Sequence, residues 1–313
     1  MLGKTANGLF WMYRYMERAE NTARLIETGQ RIALTRLNQT DGEWASVLKS
    51  GDCWAGYNAA HDEVSRDLAI DWMLRDKDNP SSVISSISAA RQNARLVRTA
   101  ITGEVWEAVN SAFMSLKQNL SRRVGERDLP AILRLIRQHS ALVRGVTIGT
   151  MQRNDIYDFA RLGTFLERAD NTARILDVKY YVLLPSARSV GTSLDNVQWE
   201  TILRSVSARG GFRMEYGGGG GPRDITHFLI LDRRMPRSLA FCASKLCNNL
   251  KYLSENGEYG QASIDRVGAL QNGLLSRNID DIFEHGLHEF LQQTLRELTG
   301  ISHQIEQDFR FYD

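Results

Sequence analysis

Cysteine, proline and long apolar runs are scarce in this 313-residue chain, which has three cysteines and five prolines. Cys53, Cys242 and Cys247 are too few and too irregularly spaced for a disulfide framework or a four-thiolate zinc site, so we expect a reducing cytoplasm. No apolar run approaches the ~18 to 20 residues that a transmembrane helix needs. The first residues also lack the pattern of a secretory signal. We therefore expect no membrane association.

The chain also lacks an excess of charge of either sign, because 39 basic and 37 acidic residues leave a net charge of +2. No block of basic residues marks a nucleic-acid-binding surface, so we expect no nucleic-acid partner. Lysine itself is rare: seven of the basic residues are lysine and 32 are arginine. Arginine suits bidentate contacts with carboxylate or phosphate, although a GC-rich genome produces the same excess without any function.

Strand patterns are nearly absent, whereas helical periodicity runs along the whole chain and the prolines fall between periodic segments. The sequence predicts an all-α protein. We predict long helices over 6–37, 81–101, 104–121, 130–152, 155–183, 236–253 and 279–309, and shorter ones over 43–49, 62–74, 196–207, 223–231 and 259–274. Gly217 to Gly221 predict a flexible surface loop, which lacks the strand and the Lys-Ser/Thr of a phosphate-binding loop.

One octapeptide occurs twice, as ERAENTAR at 17–24 and ERADNTAR at 167–174, an offset of 150 residues with one conservative change. Apolar positions around the two copies also correspond, as Leu9, Met12, Met16, Ala19, Ala23 and Ile26 against Phe159, Leu162, Leu166, Ala169, Ala173 and Leu176. Each set forms one helical stripe, and the alanines allow close approach of another backbone, so we expect the two repeat helices to pack against each other. We predict a single domain over 1–313, a pseudo-symmetric multi-helix bundle built from two related halves.

The polar residues of the repeat lie on the other side of the same helices, next to further apolar residues. A helix that is apolar almost all round is normally buried, so these residues predict an internal polar seam. Glu17 and Arg18 point about 100° apart and need partners on other helices, as do Glu167 and Arg168. On the first repeat helix this seam comprises Glu17, Glu20, Asn21 and Arg24. The candidates there for a catalytic, anion-binding or structural role are Glu17, Glu167, Arg18, Asn21, Arg24, Arg168, Asn171 and Arg174.

A second set of arginines, Arg91, Arg95 and Arg98, projects from one helical face between the repeats. Three guanidiniums on one stripe repel each other unless an anion faces them. Two interpretations stay open: the arginines neutralise Glu17 and Glu167 in the core, or they clamp a phosphate or carboxylate of a substrate.

Motifs for other chemistry are weak. Asp281, His285 and His288 have the spacing of one helical face, but no second Glu-x-x-His pair accompanies them, so we expect no metal. His288 instead suits a packing role with a hydrogen bond to a neighbouring side chain.

No nucleophile elbow or nucleotide loop is present, and we expect no cofactor. Arg237, between Pro236 and Ser238, could contact an anion at a helix start or pair across the core.

Five separated segments together resemble the alpha-E domain, a bacterial all-helical family named for its Glu-Arg motif. They are the two ERAxNTAR copies, SISAARQNAR with EVWEAVN (85–110), FLILDRRMPRSLAFC (228–242) and GLHEFL (286–291). By position the family's Glu-Arg motifs are Glu17-Arg18 and Glu167-Arg168. Its other shared segments contain Arg91, Arg95, Trp106, Asn110, Pro236, Arg237, Ser238 and His288. The stretch 209–221 departs from the family's pattern.

The resemblance implies a partner rather than a reaction. Alpha-E proteins are found beside, or fused to, a circularly permuted ATP-grasp ligase and often near a transglutaminase-like peptidase. That setting implies a system that makes or modifies peptide or amide bonds, and self-association into a homo-oligomer stays open.

Two functional hypotheses follow. In the first, the chain is a non-catalytic partner that presents a peptide-like or acidic substrate to the ligase. In the second, it is an enzyme acting on a peptide or amino-acid-like substrate, with Glu17 or Glu167 as a base. A fully paired, dry seam would favour the first hypothesis, and a solvent-connected cavity at the seam would favour the second.

Overall fold

The computed structural model describes residues 1–34, 42–183, 193–254 and 260–312, and this part of the chain contains helices and no strands. The all-α prediction is confirmed. The fifteen helices in these ranges are α1 (Gly3–Ala33), α2 (Gly42–Ser50), α3 (Trp54–Ala60), α4 (Arg66–Leu74), α5 (Val83–Leu96), α6 (Gly103–Asn119), α7 (Leu129–Thr150), α8 (Asp155–Leu183), α9 (Ser193–Ser205), α10 (Arg209–Tyr216), α11 (Pro222–Ile230), α12 (Leu239–Ser254), α13 (Gln261–Ser276), α14 (Ile279–His285) and α15 (Leu287–Asp308).

The two repeat helices, α1 and α8, pack against each other at the centre, as predicted. All twelve residues of the repeated apolar stripes are buried. The closest approach is at Gly163 of α8, where an added Cβ would lie 2.2 Å from the carbonyl oxygen of Phe10 in α1. Only a residue without a side chain fits between backbones at that distance.

The other long helices surround this pair. Helices α5 and α7 pack on α1 and are joined by α6, while α12 and α15 pack on α8 and are joined by α13. Helix α2 follows α1 but also packs on α8, and α9 follows α8 but also packs on α1. The ends of α2 and α9 therefore lie against the polar faces of the opposite repeat helices. No helix in the described ranges combines the length and apolar character needed to cross a membrane.

Several boundaries differ from the predicted ones. The predicted helix 279–309 is two helices, because Gly286 adopts a φ of 98° and ends α14 before α15 begins. Helices α3 and α10 were not predicted, since each has fewer than nine residues and contains glycine. Gly217 to Gly221 form the predicted non-helical connection, between α10 and α11.

Candidate functional site

The Glu-Arg motifs of the two repeats pair with each other across the α1–α8 contact. Arg18 Nε and Nη2 lie 2.6 and 3.0 Å from the two carboxylate oxygens of Glu167. Reciprocally, Arg168 Nε and Nη2 lie 3.0 and 3.2 Å from the oxygens of Glu17. Both contacts are bidentate, the geometry for which a guanidinium is suited. The prediction that each motif finds its partners on other helices is confirmed.

Further groups extend the Glu17 side into what we call the first cluster: Glu17, Glu20, Arg24, Arg144, Arg168 and Arg237. Arg237 Nη2 lies 3.0 Å from Glu17 Oε1 and 2.9 Å from Glu20 Oε1. Arg144 Nη1 contacts both carboxylates as well. The side chains of Glu17 and Glu20 are only 2% and 1% exposed. These buried charges are therefore neutralised by guanidiniums rather than by solvent.

This environment fixes the charge of the first cluster. Burial by itself raises the pKa of the Glu17 carboxyl, but the guanidiniums of Arg168, Arg237 and Arg144 outweigh burial and hold the pKa far below its usual range. Burial, with Arg24 nearby, lowers the pKa of Arg237 to about 10, so this guanidinium is still charged at neutral pH. Glu17 is thus an ionised carboxylate held by cations, which makes it a poor general base near neutral pH.

The Glu167 side carries the second cluster: Glu167, Asp170, Arg14, Arg18 and Arg174. Arg14 Nε lies 2.9 Å from Glu167 Oε2, and Arg174 Nε lies 2.6 Å from Asp170 Oδ2. Although burial raises the pKa of Glu167, Arg18 and Arg14 lower it to a net value of about 2. Glu167 is therefore also ionised and ion-paired.

The two clusters differ in that the second lines a cavity. This cavity of about 210 Å³ opens to solvent and is lined by residues of α1, α8, the connection 51–53 and the segment 79–81. A neighbouring cavity of about 580 Å³ shares three lining residues with it, namely Asp52, Arg174 and Thr299. Asp52, at the shared wall, has a φ of 54°, a conformation that a non-glycine residue adopts only when its surroundings impose it.

The repeated asparagines show what the second cluster lacks. Asn21 donates from Nδ2 to the carbonyl oxygen of Glu167, and its Oδ1 accepts from Arg237 Nη1 at 3.5 Å. Asn171, the same position of the second repeat, is 3% exposed and lines the 210 Å³ cavity. Its Oδ1 is buried and has no hydrogen-bond partner within the described ranges. A buried acceptor in that state is costly and is normally satisfied in proteins.

Arg91 and Arg95 lie on α5 and Arg98 lies in the turn after it, and none of the three is part of this site, which corrects their prediction. Arg91 Nε donates to Asn110 Oδ1 at 2.8 Å, and Arg95 and Arg98 are exposed. None of the three contacts Glu17 or Glu167 among the interactions of the described residues. The reason is that α5 buries its opposite face, through Val83, Ile87, Ala90 and Ala94.

His288 lies next to the larger cavity and has the predicted packing role. Its Nδ1 lies 2.6 Å from Asp177 Oδ1, and Gln292 donates to the other carboxylate oxygen. The break at Gly286 removes His288 from the helical face of Asp281 and His285. In the described part of the chain, no group of three or more His, Cys, Asp or Glu residues is arranged to hold a metal ion.

Arg237 pairs across the core, one of its two predicted alternatives, although the helix after it begins at Leu239 instead of Pro236. Sequence reasoning missed Arg14 and Arg144. Arg14 precedes Arg18 by four residues and so shares its helical face, a signal that could have identified it. Arg144 has no counterpart signal, because its helix, α7, lies outside the repeated octapeptides.

Chain and site together define an all-helical domain with a doubled, buried Glu-Arg motif. A family model described as Alpha-E, "a predicted alpha-helical domain with a conserved ER motif", matches residues 1–309. The chain belongs to the Alpha-E family.

Relatives of the chain are longer proteins. An uncharacterized protein of Mycobacterium bovis is 24% identical over 96% of this chain and 35% of its own length. Uncharacterized proteins of two Mycobacterium tuberculosis strains are 24% and 23% identical, with the same coverage. The chain thus spans about a third of the length of the curated relatives it matches. No solved structure gave a significant match.

Proposed function

We propose that the chain is a cytoplasmic, non-catalytic component of an amide- or peptide-forming system, and that it presents a peptide-like substrate to a circularly permuted ATP-grasp ligase. The solvent-connected cavity at the second cluster is the proposed holding site. In this scheme the ligase activates a carboxylate with ATP, and this chain supplies affinity and position for the substrate. A transglutaminase-like protein and a second copy of the chain are further proposed partners.

The single observation that carries the proposal is the chemistry of the cavity wall. It combines guanidiniums from Arg14, Arg18 and Arg174 with the carboxylates of Glu167 and Asp170 and an unsatisfied carboxamide. Peptides and amino acids carry both charges and amide groups, which such a wall can match. A volume of about 210 Å³ is below the roughly 300 to 1,000 Å³ of drug-sized ligand pockets, so it suits one small polar group.

The solvent-connected cavity at the second cluster gives the alternative, an enzyme with Glu167 as base, the site that it requires, but the ion pairing there disfavours it. With a pKa near 2 and two guanidiniums on its oxygens, Glu167 has little affinity for a substrate proton. The length of the mycobacterial relatives supports a tethered partner, since most of each relative lies outside the matched segment.

We also infer that the fold consists of two related, pseudo-symmetric halves. The reciprocal Glu-Arg pairs support this, as do the ends of α2 and α9. Arg174 donates to the carbonyl oxygen of Ser50, the last residue of α2, and Arg24 donates to that of Ser205, the last residue of α9. Two residues later, Asp52 and Ser207 have nearly equal positive φ values of 54° and 56°.

Reconstitution tests the presenting role. The chain and a circularly permuted ATP-grasp ligase are purified and incubated with ATP and candidate amines and acids, and new amides are identified by mass spectrometry. We expect co-purification and an ATP-dependent product that needs both proteins. Asn171→Leu removes the carboxamide whose Oδ1 has no partner in the described ranges. It should reduce the product roughly tenfold while the melting temperature stays within a few degrees of wild type.

Arg95→Ala is the control, because Arg95 is exposed and does not line the cavity. Product formation by the ligase at the same rate without this chain contradicts the presenting role. Turnover by this chain without the ligase supports the enzyme alternative instead.

A further inference from the structure

The sequence before α5 and the sequence before α12 correspond, although the repeated octapeptides do not include them. Pro80-Ser81-Ser82 precedes α5, and Pro236-Arg237-Ser238 precedes α12. Thr22 of the first repeat donates its hydroxyl to the carbonyl oxygen of Ser81. Thr172, at the same position of the second repeat, donates to the carbonyl oxygen of Arg237. Ser81 and Arg237 therefore occupy equivalent places.

The side chains at these two places differ in length and charge. Arg237 reaches Glu17, Glu20 and Asn21 of the first cluster. Ser81 cannot reach the corresponding Glu167, Asp170 and Asn171, and it lines the 210 Å³ cavity together with all three. The cavity thus lies where an arginine at position 81 would place its guanidinium.

A count of charged groups gives the same result. The first cluster has two carboxylates and four guanidiniums. Apart from the exposed Asp52, which lies 3.6 Å from Arg174, the second has two carboxylates, Glu167 and Asp170, and three guanidiniums. The orphaned acceptor is Asn171 Oδ1, whose counterpart Asn21 Oδ1 accepts from Arg237. One additional N–H-bearing cation would give the second cluster the same groups as the first and would satisfy Asn171.

We propose that the cavity binds a cationic ammonium or guanidinium group of the substrate, in the place that Arg237 occupies in the first cluster. This inference names the substrate chemistry and so rests on the proposed holding role of the cavity. The neighbouring cavity, which shares Asp52 and Arg174, accommodates the rest of the molecule.

Isothermal titration calorimetry on the isolated chain tests the cation directly. The probes are glycinamide for an α-ammonium, N-acetyl-lysine amide and N-acetyl-arginine amide for side-chain cations, and N-acetyl-citrulline amide as a neutral analogue of arginine. We expect one-to-one binding of at least one cation, at least tenfold tighter than citrulline, since hydrogen bonds to charged groups are the stronger ones. The cationic probe that binds most tightly shows whether the bound group is an α-ammonium, a lysine-type ammonium or a guanidinium.

Two variants locate the binding. Ser81→Arg should insert the missing guanidinium, raise the melting temperature and abolish binding of the cationic probes. Asn171→Leu should leave the fold intact and weaken binding about tenfold or more, and it decides the matter if Ser81→Arg does not fold. Arg95→Ala should bind as wild type does.

The inference is overturned if no cationic probe binds, if citrulline binds as tightly, or if neither cavity variant changes affinity. Because no ligase is present, these outcomes are independent of the reconstitution. A failed reconstitution with intact cation binding refutes the presenting role alone.

Discussion

Neutralising Glu17 should destabilise the protein more than neutralising Glu167, although the two residues occupy the same position of the repeat. Glu17→Gln preserves the shape of the side chain but leaves Arg168 without its bidentate carboxylate, and it leaves Arg237 and Arg144 with Glu20 alone. Arg237 is only 7% exposed. Removing one partner of such a buried group costs about 3 to 5 kcal/mol.

Glu167→Gln affects fewer guanidiniums, and these border the cavity. Arg14 and Arg18 are 12% and 24% exposed, so water in the cavity can hydrate them when the carboxylate is gone. We expect a smaller cost of about 1 to 2 kcal/mol, within the range for partly solvated charge pairs. At about 2 °C per kcal/mol for a chain of this length, melting temperatures should fall by about 8 °C for Glu17→Gln and about 3 °C for Glu167→Gln.

Differential scanning calorimetry at pH 7 measures both variants beside Glu107→Gln, which changes an exposed carboxylate on α6 and should shift stability by less than about 0.5 kcal/mol. Equal losses for the two buried variants, or a loss near that of Glu107→Gln for Glu17→Gln, would refute the assignment of Glu17 to the more tightly paired cluster.

Three further predictions concern pH and packing. The pKa of Glu167 is about 2 in the folded protein and higher in the unfolded chain. The stability that the Glu167 ion pairs contribute should therefore be fully present above the usual pKa of glutamate and be lost as the pH falls toward 2. Between neutral pH and pH 2, the melting temperature should fall less for Glu167→Gln than for the wild type. Burial and Asp155 raise the pKa of Asp158 to about 6, so folding favours its protonated form and the free energy of unfolding falls as the pH rises through 4 to 6. Asp158→Asn should therefore raise the free energy of unfolding at pH 7 by about 1 kcal/mol. A decrease at that pH would contradict this reasoning. Gly163→Ala should lower the free energy of unfolding by more than about 3 kcal/mol, because the added Cβ meets a backbone oxygen. Gly145→Ala, at a helical position with open space around it, should raise that free energy by about 0.5 to 1 kcal/mol. Urea denaturation measures both variants.

The repeated octapeptide allowed much of the fold's centre to be predicted from sequence. An amphipathic pattern that occurs twice predicts the α1–α8 contact, the burial of the seam and the pairing of Glu17 and Glu167 with residues of other helices. The break at Gly286 was not foreseen, because a glycine inside a periodic segment does not reveal by itself whether the helix continues.

The arginines of the site were harder to assign, because a guanidinium can face solvent or a core carboxylate with the same sequence pattern. Arg95 is exposed because α5 buries Ala90 and Ala94, and alanines mark a buried face only weakly, whereas Arg98 is exposed in the turn after α5. Arg144 belongs to the first cluster because of where α7 packs on α1, which no local pattern encodes. The cavity itself depends on a short residue, Ser81, at a place where the other repeat has Arg237.

The reciprocal Glu-Arg pairs also bear on how the chain reaches its native state. They join residues 149 and 151 positions apart, so neither pair can form until both repeats are in place. Helices form within about a microsecond, but contacts at such separations require closure of a long loop and slow the search. Before they form, Glu167 lacks both Arg14 and Arg18, and Glu17 has Arg144 alone among its partners. We therefore expect the docking of α1 on α8 to be the late, rate-limiting step of folding, with little stable structure in either half alone.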